Sequence, residues 1–189
     1  MRLSVALFDM TYSGTPIEMS APTDSMGSPE FVSISQIEVQ KPSVEELAKH
    51  LITLGSFVNQ LYTQAHLIHL NIEGPLFLPL HEFLKEQYEA HVSQFDALAE
   101  FVRTLDYLLP MCNRGLAGAN KNLKMVKSYE PRSMLLTYLQ NLDACGMAAK
   151  EVLMVARQVE APDVENYLAD LVGAMFKAAW FLKATLRDA

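Results

Sequence analysis

Four histidines, His66, His69, His81 and His91, fall within one short stretch of a 189-residue chain that has five in all. His66 and His69 are three apart, so on a helix they share a face. Twelve residues after His69 comes His81, and Gly74-Pro75 between them forces a reversal. Folding back at that turn lets His69 and His81 face each other. Further on, Asp96 and Glu100 form a carboxylate pair at helical i,i+4 spacing. Imidazole nitrogens with carboxylate oxygens suit redox iron when positions are left open, and zinc would compete for them.

One chain cannot bring these groups together. His81 and Asp96 are 15 residues apart, about 22 Å along a helix. Each chain therefore offers two half-sites, imidazoles at one end of a helix and carboxylates towards its middle. An antiparallel two-fold pairing would bring one chain's imidazoles onto the other's carboxylates, and would do so twice. Other roles compete for the same residues. His91 falls on an apolar seam and reads as a packed core histidine. His50 lies on an outer face, and Asp96 with Glu100 alone would be a solvated stripe. The metal reading gains from Leu51 to Ile72, which hold amides and imidazoles but no Asp, Glu, Lys or Arg. Such polar groups are costly to bury without partners.

Four long helices must position these residues. Ser43-Val44-Glu45-Glu46 after Pro42 is a capping box. From it Val44, Leu47, Leu51, Leu54, Val58, Leu61, Ala65, Ile68 and Ile72 recur at spacings of 3 and 4. The second helix begins near Leu78, with Pro79 in its first turn. Its seam is Leu84, His91, Phe95, Leu98, Val102, Leu105 and Leu109, closed by Pro110. A connection over 111–130 holds a short helix around Leu116 to Val126. Pro131 opens the third long helix, and Ala161-Pro162-Asp163 the fourth. The fold class is all-α, a four-helix bundle with a short helix in the long crossover between helices 2 and 3. Residues 1–42, rich in Pro, Ser and Thr, form an arm, extended or disordered in part. Residues 43–189 form the bundle domain.

Composition narrows the function. Fifteen Lys and Arg against 22 Asp and Glu give a net charge of −7. The arm carries Arg2 and Lys41 against Asp9, Glu18, Asp24, Glu30 and Glu38, and the chain ends Arg187-Asp188-Ala189. Neither terminus offers a basic footprint for a phosphate backbone, so direct DNA binding is not expected. Cys112 and Cys145 are too few for a disulfide framework and fit a reducing cytoplasm. Asp9 interrupts the apolar start, so no signal peptide is expected, and the amides and imidazoles of Leu51 to Ile72 make that uncharged stretch a poor membrane span.

The stretch His69-Leu70-Asn71, then Gly74, Phe77, Leu80-His81, Tyr88 and Asp96-Ala97-Leu98-Ala99-Glu100, resembles the Dps family of ferritin-like mini-cages. Trp180-Phe181-Leu182-Lys183 also looks like that family's last helix. The resemblance covers about residues 43–189. It implies a ferritin-like bundle, a dodecameric cage storing iron, and Fe(II) oxidation, preferably by hydrogen peroxide, between two-fold partners. His69 and His81 would come from one chain, and Asp96 and Glu100 from its partner. Ferritins with ligands inside one bundle use Glu-x-x-His motifs, and this sequence has none. Acids matching the family's three-fold pores are Asp143, Glu151 and Asp163.

Two positions depart from the family pattern. Lys85 stands where a carboxylate usually follows the second histidine, and Leu70 replaces a tryptophan. An ammonium at 85 would repel a second iron and pair with Asp96 or Glu100 across the interface. His66, three residues before His69, can also face the cleft and is expected as an auxiliary ligand in place of the missing carboxylate; the other reading is a bystander packed on the helix. The competing reading is a storage or structural cage without oxidation chemistry, and Lys85 is its main support.

Overall fold

The computed structural model describes residues 42–187, which hold five helices and no strand. The arm lies outside the described residues except for Pro42, as do Asp188 and Ala189. The capping box forms as its sequence dictates: Ser43 Oγ accepts from the Glu46 amide at 3.2 Å, and the Ser43 amide donates to Glu46 Oε2 at 3.1 Å. It starts α1, Val44–Asn71. After a tight turn comes α2, Phe77–Thr104. A long crossover contains α3, Asn113–Ala119. Then α4, Pro131–Gln158, and α5, Pro162–Thr185, complete the chain, each opened by its proline.

Packing follows the apolar seams. The first helix packs on α2 and α4 on α5 as two hairpins, joined mainly through α1 against α4. Leu47, Leu51, Leu54, Val58, Leu61, Ala65, Ile68 and Ile72 of the α1 seam are all buried. They meet Leu84, Leu98 and Val102 of α2 and Leu142, Cys145, Leu168 and Leu182 from the second hairpin. Val44 departs from the expected seam. It is exposed, because it occupies the first helical position before the bundle closes over α1.

Two boundaries differ from those read in the sequence. The second helix stops at Thr104, so Leu105 and Leu109 lie beyond it although both still pack on the core. Asp106 takes a left-handed φ of 67° and Tyr107 N donates back to Val102 O, which turns the chain off the helix. The short helix is Asn113–Ala119 rather than Leu116 to Val126. Cys112 caps it, its Sγ accepting from the Gly115 amide at 3.3 Å. It ends because side chains take the next carbonyls and amides out of helical bonding. Gln60 Nε2 donates to the carbonyls of Ala117 and Asn120, and Gln64 Nε2 to that of Lys124. From α4, Asn141 Oδ1 accepts from the Lys124 amide while its Nδ2 donates to Gln64 Oε1 and Lys124 O.

This strapping also explains the amides of the uncharged helix. Gln60 and Gln64 hold the crossover against α1, and Ser56 Oγ donates to Leu116 O beside them. Their polar atoms are satisfied by backbone carbonyls and by the side chains of Asn120 and Asn141, and need no metal.

Candidate metal centre

The hairpin turn sets the geometry. Gly74 adopts φ 104°, a conformation costly for any other residue, and its carbonyl accepts from the Phe77 amide at 2.9 Å. His69 is thereby held in the last turn of α1 opposite His81 in the second turn of α2. Their rings stack with centroids 3.7 Å apart and planes 21° from parallel. Each ring bonds the other residue's backbone: His69 Nδ1 to His81 O at 2.8 Å, and His81 Nδ1 to His69 O at 3.0 Å.

Those two bonds fix the chemistry. A carbonyl oxygen only accepts, so both Nδ1 atoms carry the proton. In a neutral ring Nε2 then keeps its lone pair. The chain offers two Nε2 donors whose rings are oriented by backbone, the usual arrangement behind metal-binding histidines. The end of α1 adds the negative pole of a helix dipole, which favours a cation.

His66 lies one turn earlier and half buried, its ring 6.1 Å from that of His69 and 4.4 Å from that of Tyr88. The Tyr88 ring stands edge-on to His69 at 5.3 Å, and Tyr62 follows at 6.4 Å from Tyr88. The sequence had drawn attention to the histidines but not to this ring cluster. Its signal was present in the spacing, since Tyr62, His66 and His69 stand at i, i+4 and i+7 and Tyr88 seven residues after His81.

The carboxylates stand apart from the imidazoles. Asp96 and Glu100 are exposed, on the later half of α2. Among the described residues, no three of His, Cys, Asp and Glu converge within the chain as a metal-binding group. Lys85, one turn after His81, is exposed and 3.8 Å from Glu89 of its own helix. Leu70 is exposed. Among the pore candidates, Asp143 is paired with Lys183 at 2.9 Å, while Glu151 and Asp163 are exposed.

His91 is buried in the core, as its seam position implied. Its Nδ1 donates to Gln94 Oε1 at 2.8 Å, and its Nε2 accepts from the Tyr138 hydroxyl at 2.7 Å. Loss of water lowers its pKa to about 4, partly opposed by the Gln94 bond. The same desolvation pushes the Tyr138 phenol well above its usual value.

Two helical hairpins joined by a long crossover, with imidazoles at the first hairpin's turn, define a ferritin-like bundle. The chain belongs to the ferritin family, whose ferritin-like domain matches residues 49–189. It is 27% identical over 152 residues to the DNA protection during starvation protein of Brevibacillus brevis, an alignment spanning 77% of this chain and 99% of that one. The fold is similar to a Dps protein from Vibrio cholerae, with TM-score 0.71 and 23% identity over 76% of this chain and 91% of that one. It is also similar to an archaeal Dps homologue from Halobacterium salinarum, with TM-score 0.73 and 23% identity over 77% of this chain and 82% of that one. The named relative supports the Dps branch of the family, and the two neighbours show its fold. No helix among the described residues is long and apolar enough to cross a membrane.

Proposed function

We propose that this protein binds Fe(II) between two-fold partners, oxidises it with hydrogen peroxide and stores the ferric product in a dodecameric cage. Membership of the ferritin family supports iron storage and protection from oxidation in general. The observation that carries the finer reading is the reciprocal His69–His81 pair, which orients two Nε2 atoms that bond no partner among the described residues. His69 and His81 bind the metal from one chain, Asp96 and Glu100 from the partner subunit, and His66 is an auxiliary ligand. In this reading iron is the substrate, and zinc is a competing occupant of the same nitrogen and oxygen donors. Asp143, Glu151 and Asp163 line the entry path. Direct DNA binding is not part of the function, and the cytoplasm is the place of action.

Lys85 favours a second reading, a storage cage without oxidation chemistry. Its charge one turn from His81 opposes a second cation, although pairing with Glu89 shares that charge. Stopped-flow Fe(II) oxidation with peroxide and with dioxygen separates the two. The ferroxidase reading requires Asp96→Asn/Glu100→Gln to be much slower than wild type, and equal rates overturn it. Anomalous diffraction at the iron edge after anaerobic Fe(II) soaking completes the test. Iron at His69 and His81 is expected, and loss of a second peak in His66→Ala identifies the auxiliary ligand. An unchanged single peak removes His66 from the site.

A further inference from the structure

The core contains a polar pair that the proposed site does not use. Tyr138 of α4 and His91 of α2 are buried, and the Tyr138 hydroxyl donates to His91 Nε2 at 2.7 Å. Gln94 Oε1 accepts from His91 Nδ1, which commits Nε2 to accepting. A phenol sharing its proton with a neutral imidazole, away from water, is the arrangement that lets a tyrosine lose an electron reversibly. The proton has a base within one hydrogen bond, and the radical is shielded from solvent. Tyr167 lacks this arrangement, since its hydroxyl donates to a carbonyl, that of Gln94, at 3.3 Å.

Tyr88 joins the imidazole cluster to the stretch of α2 that carries His91. His69 contacts the Tyr88 ring at 5.3 Å, and Tyr88 lies one turn before His91 on α2. The Tyr88 ring and one turn of α2 therefore lie between His69 and the His91–Tyr138 bond. We infer that the Tyr138–His91 pair is a one-electron store for peroxide reduction at the His69–His81 site, reached through Tyr88. The inference rests on the ferroxidase reading above.

The electrons balance as follows. One Fe(II) reduces hydrogen peroxide to hydroxide and a hydroxyl radical, becoming Fe(III). Tyr138 supplies one electron to that radical, which becomes a second hydroxide, and the phenolic proton moves to His91 Nε2. A second Fe(II) then returns an electron to the Tyr138 radical, and the proton moves back from His91. The sum is two Fe(II) and one peroxide giving two Fe(III) and two hydroxide, with no hydroxyl radical released. A store of this kind allows irons to react one at a time, which avoids the second bound cation that the Lys85 charge near His81 opposes.

Freeze-quench electron paramagnetic resonance tests it on the assembled protein, loaded anaerobically with Fe(II) and mixed with limiting hydrogen peroxide. Wild type should give a tyrosyl signal whose hyperfine pattern narrows when the tyrosines are ring-deuterated. In heavy water the radical should show coupling to an exchangeable deuteron, that of the His91 bond. Tyr138→Phe should lose the signal, release hydroxyl radical to a spin trap and oxidise fewer irons per peroxide. Tyr129→Phe, which alters an exposed tyrosine, should leave all three unchanged. An undiminished signal in Tyr138→Phe overturns the inference. So does a wild-type radical without the deuteron coupling, which needs no variant to fold. Iron oxidation in wild type without any tyrosyl radical sinks the store alone, whereas no acceleration over buffer sinks the ferroxidase reading and the store with it.

Discussion

Acid should weaken this fold through a single core histidine. His91 is neutral in the folded chain and is held at a pKa of about 4 by burial, against about 6.5 in an unfolded chain. As pH falls, the unfolded chain takes up the proton first. Stability contributed by the neutral ring is therefore complete above about 6.5 and is lost progressively down to about 4. Between about pH 7 and about pH 5 the difference in proton uptake amounts to about 2 kcal/mol. Carboxylates add their own acid dependence, so the comparison must be with a chain lacking only this group. His91→Leu/Tyr138→Phe removes both partners of the fully buried bond, and Gln94 Oε1, which loses the bond from His91 Nδ1, belongs to a half-buried side chain that water can reach. Urea unfolding at fixed protein concentration, followed by far-ultraviolet circular dichroism, measures both proteins at the two pH values. Wild type should lose about 2 kcal/mol more than the double variant over that interval. Equal losses would refute the placement of a neutral imidazole in the core.

Three further outcomes follow from contacts already described. Asn141→Ala deletes three hydrogen bonds of a buried side chain that strap the crossover, so it should cost about 3 kcal/mol; hydrogen exchange should show lost protection at the Lys124 amide, and intact protection would contradict the strap. Glu160 ends α4 at a left-handed φ of 60°, so Glu160→Gly should stabilise the chain by about 1 kcal/mol, read as a higher midpoint in thermal melting. Asp143→Asn/Glu151→Gln/Asp163→Asn should slow iron loading and Lys183→Met should quicken it, because Lys183 cancels the charge of Asp143; wild-type loading rates in both would remove these acids from the entry path.

The bundle was legible because its signals are local. The capping box at Ser43, the helix-opening prolines at 131 and 162 and the unbroken α1 seam each depend on residues a few positions apart. The facing of His69 and His81 was legible too, since one turn at Gly74 sets it. Their bonds to each other's carbonyls were not, because backbone acceptors leave no mark in residue types. The crossover was misjudged for a related reason. Leu116, Leu123 and Val126 have helical spacing, but Gln60, Gln64 and Asn141 take its carbonyls and an amide from far away in sequence. The amides of α1 therefore counted towards a metal when they serve the crossover. His91 was read correctly as core, while its bond to the Tyr138 hydroxyl left no local signal, since the two are 47 residues apart.

The doubled bond between His69 and His81 has an effect on what mutation can remove. Replacing either imidazole breaks both a side-chain donor's bond and the stack, and it opens the corner where α1 meets α2. These two residues are thus held in place by folding as well as by any metal. Asp96 and Glu100 carry no such second duty, being exposed on α2. A lineage that ceased to oxidise iron would pay for losing its histidines in stability and would lose its carboxylates without penalty. The acids, exposed on α2, are therefore the more informative half of the proposed site: a relative that keeps them keeps them for their charge.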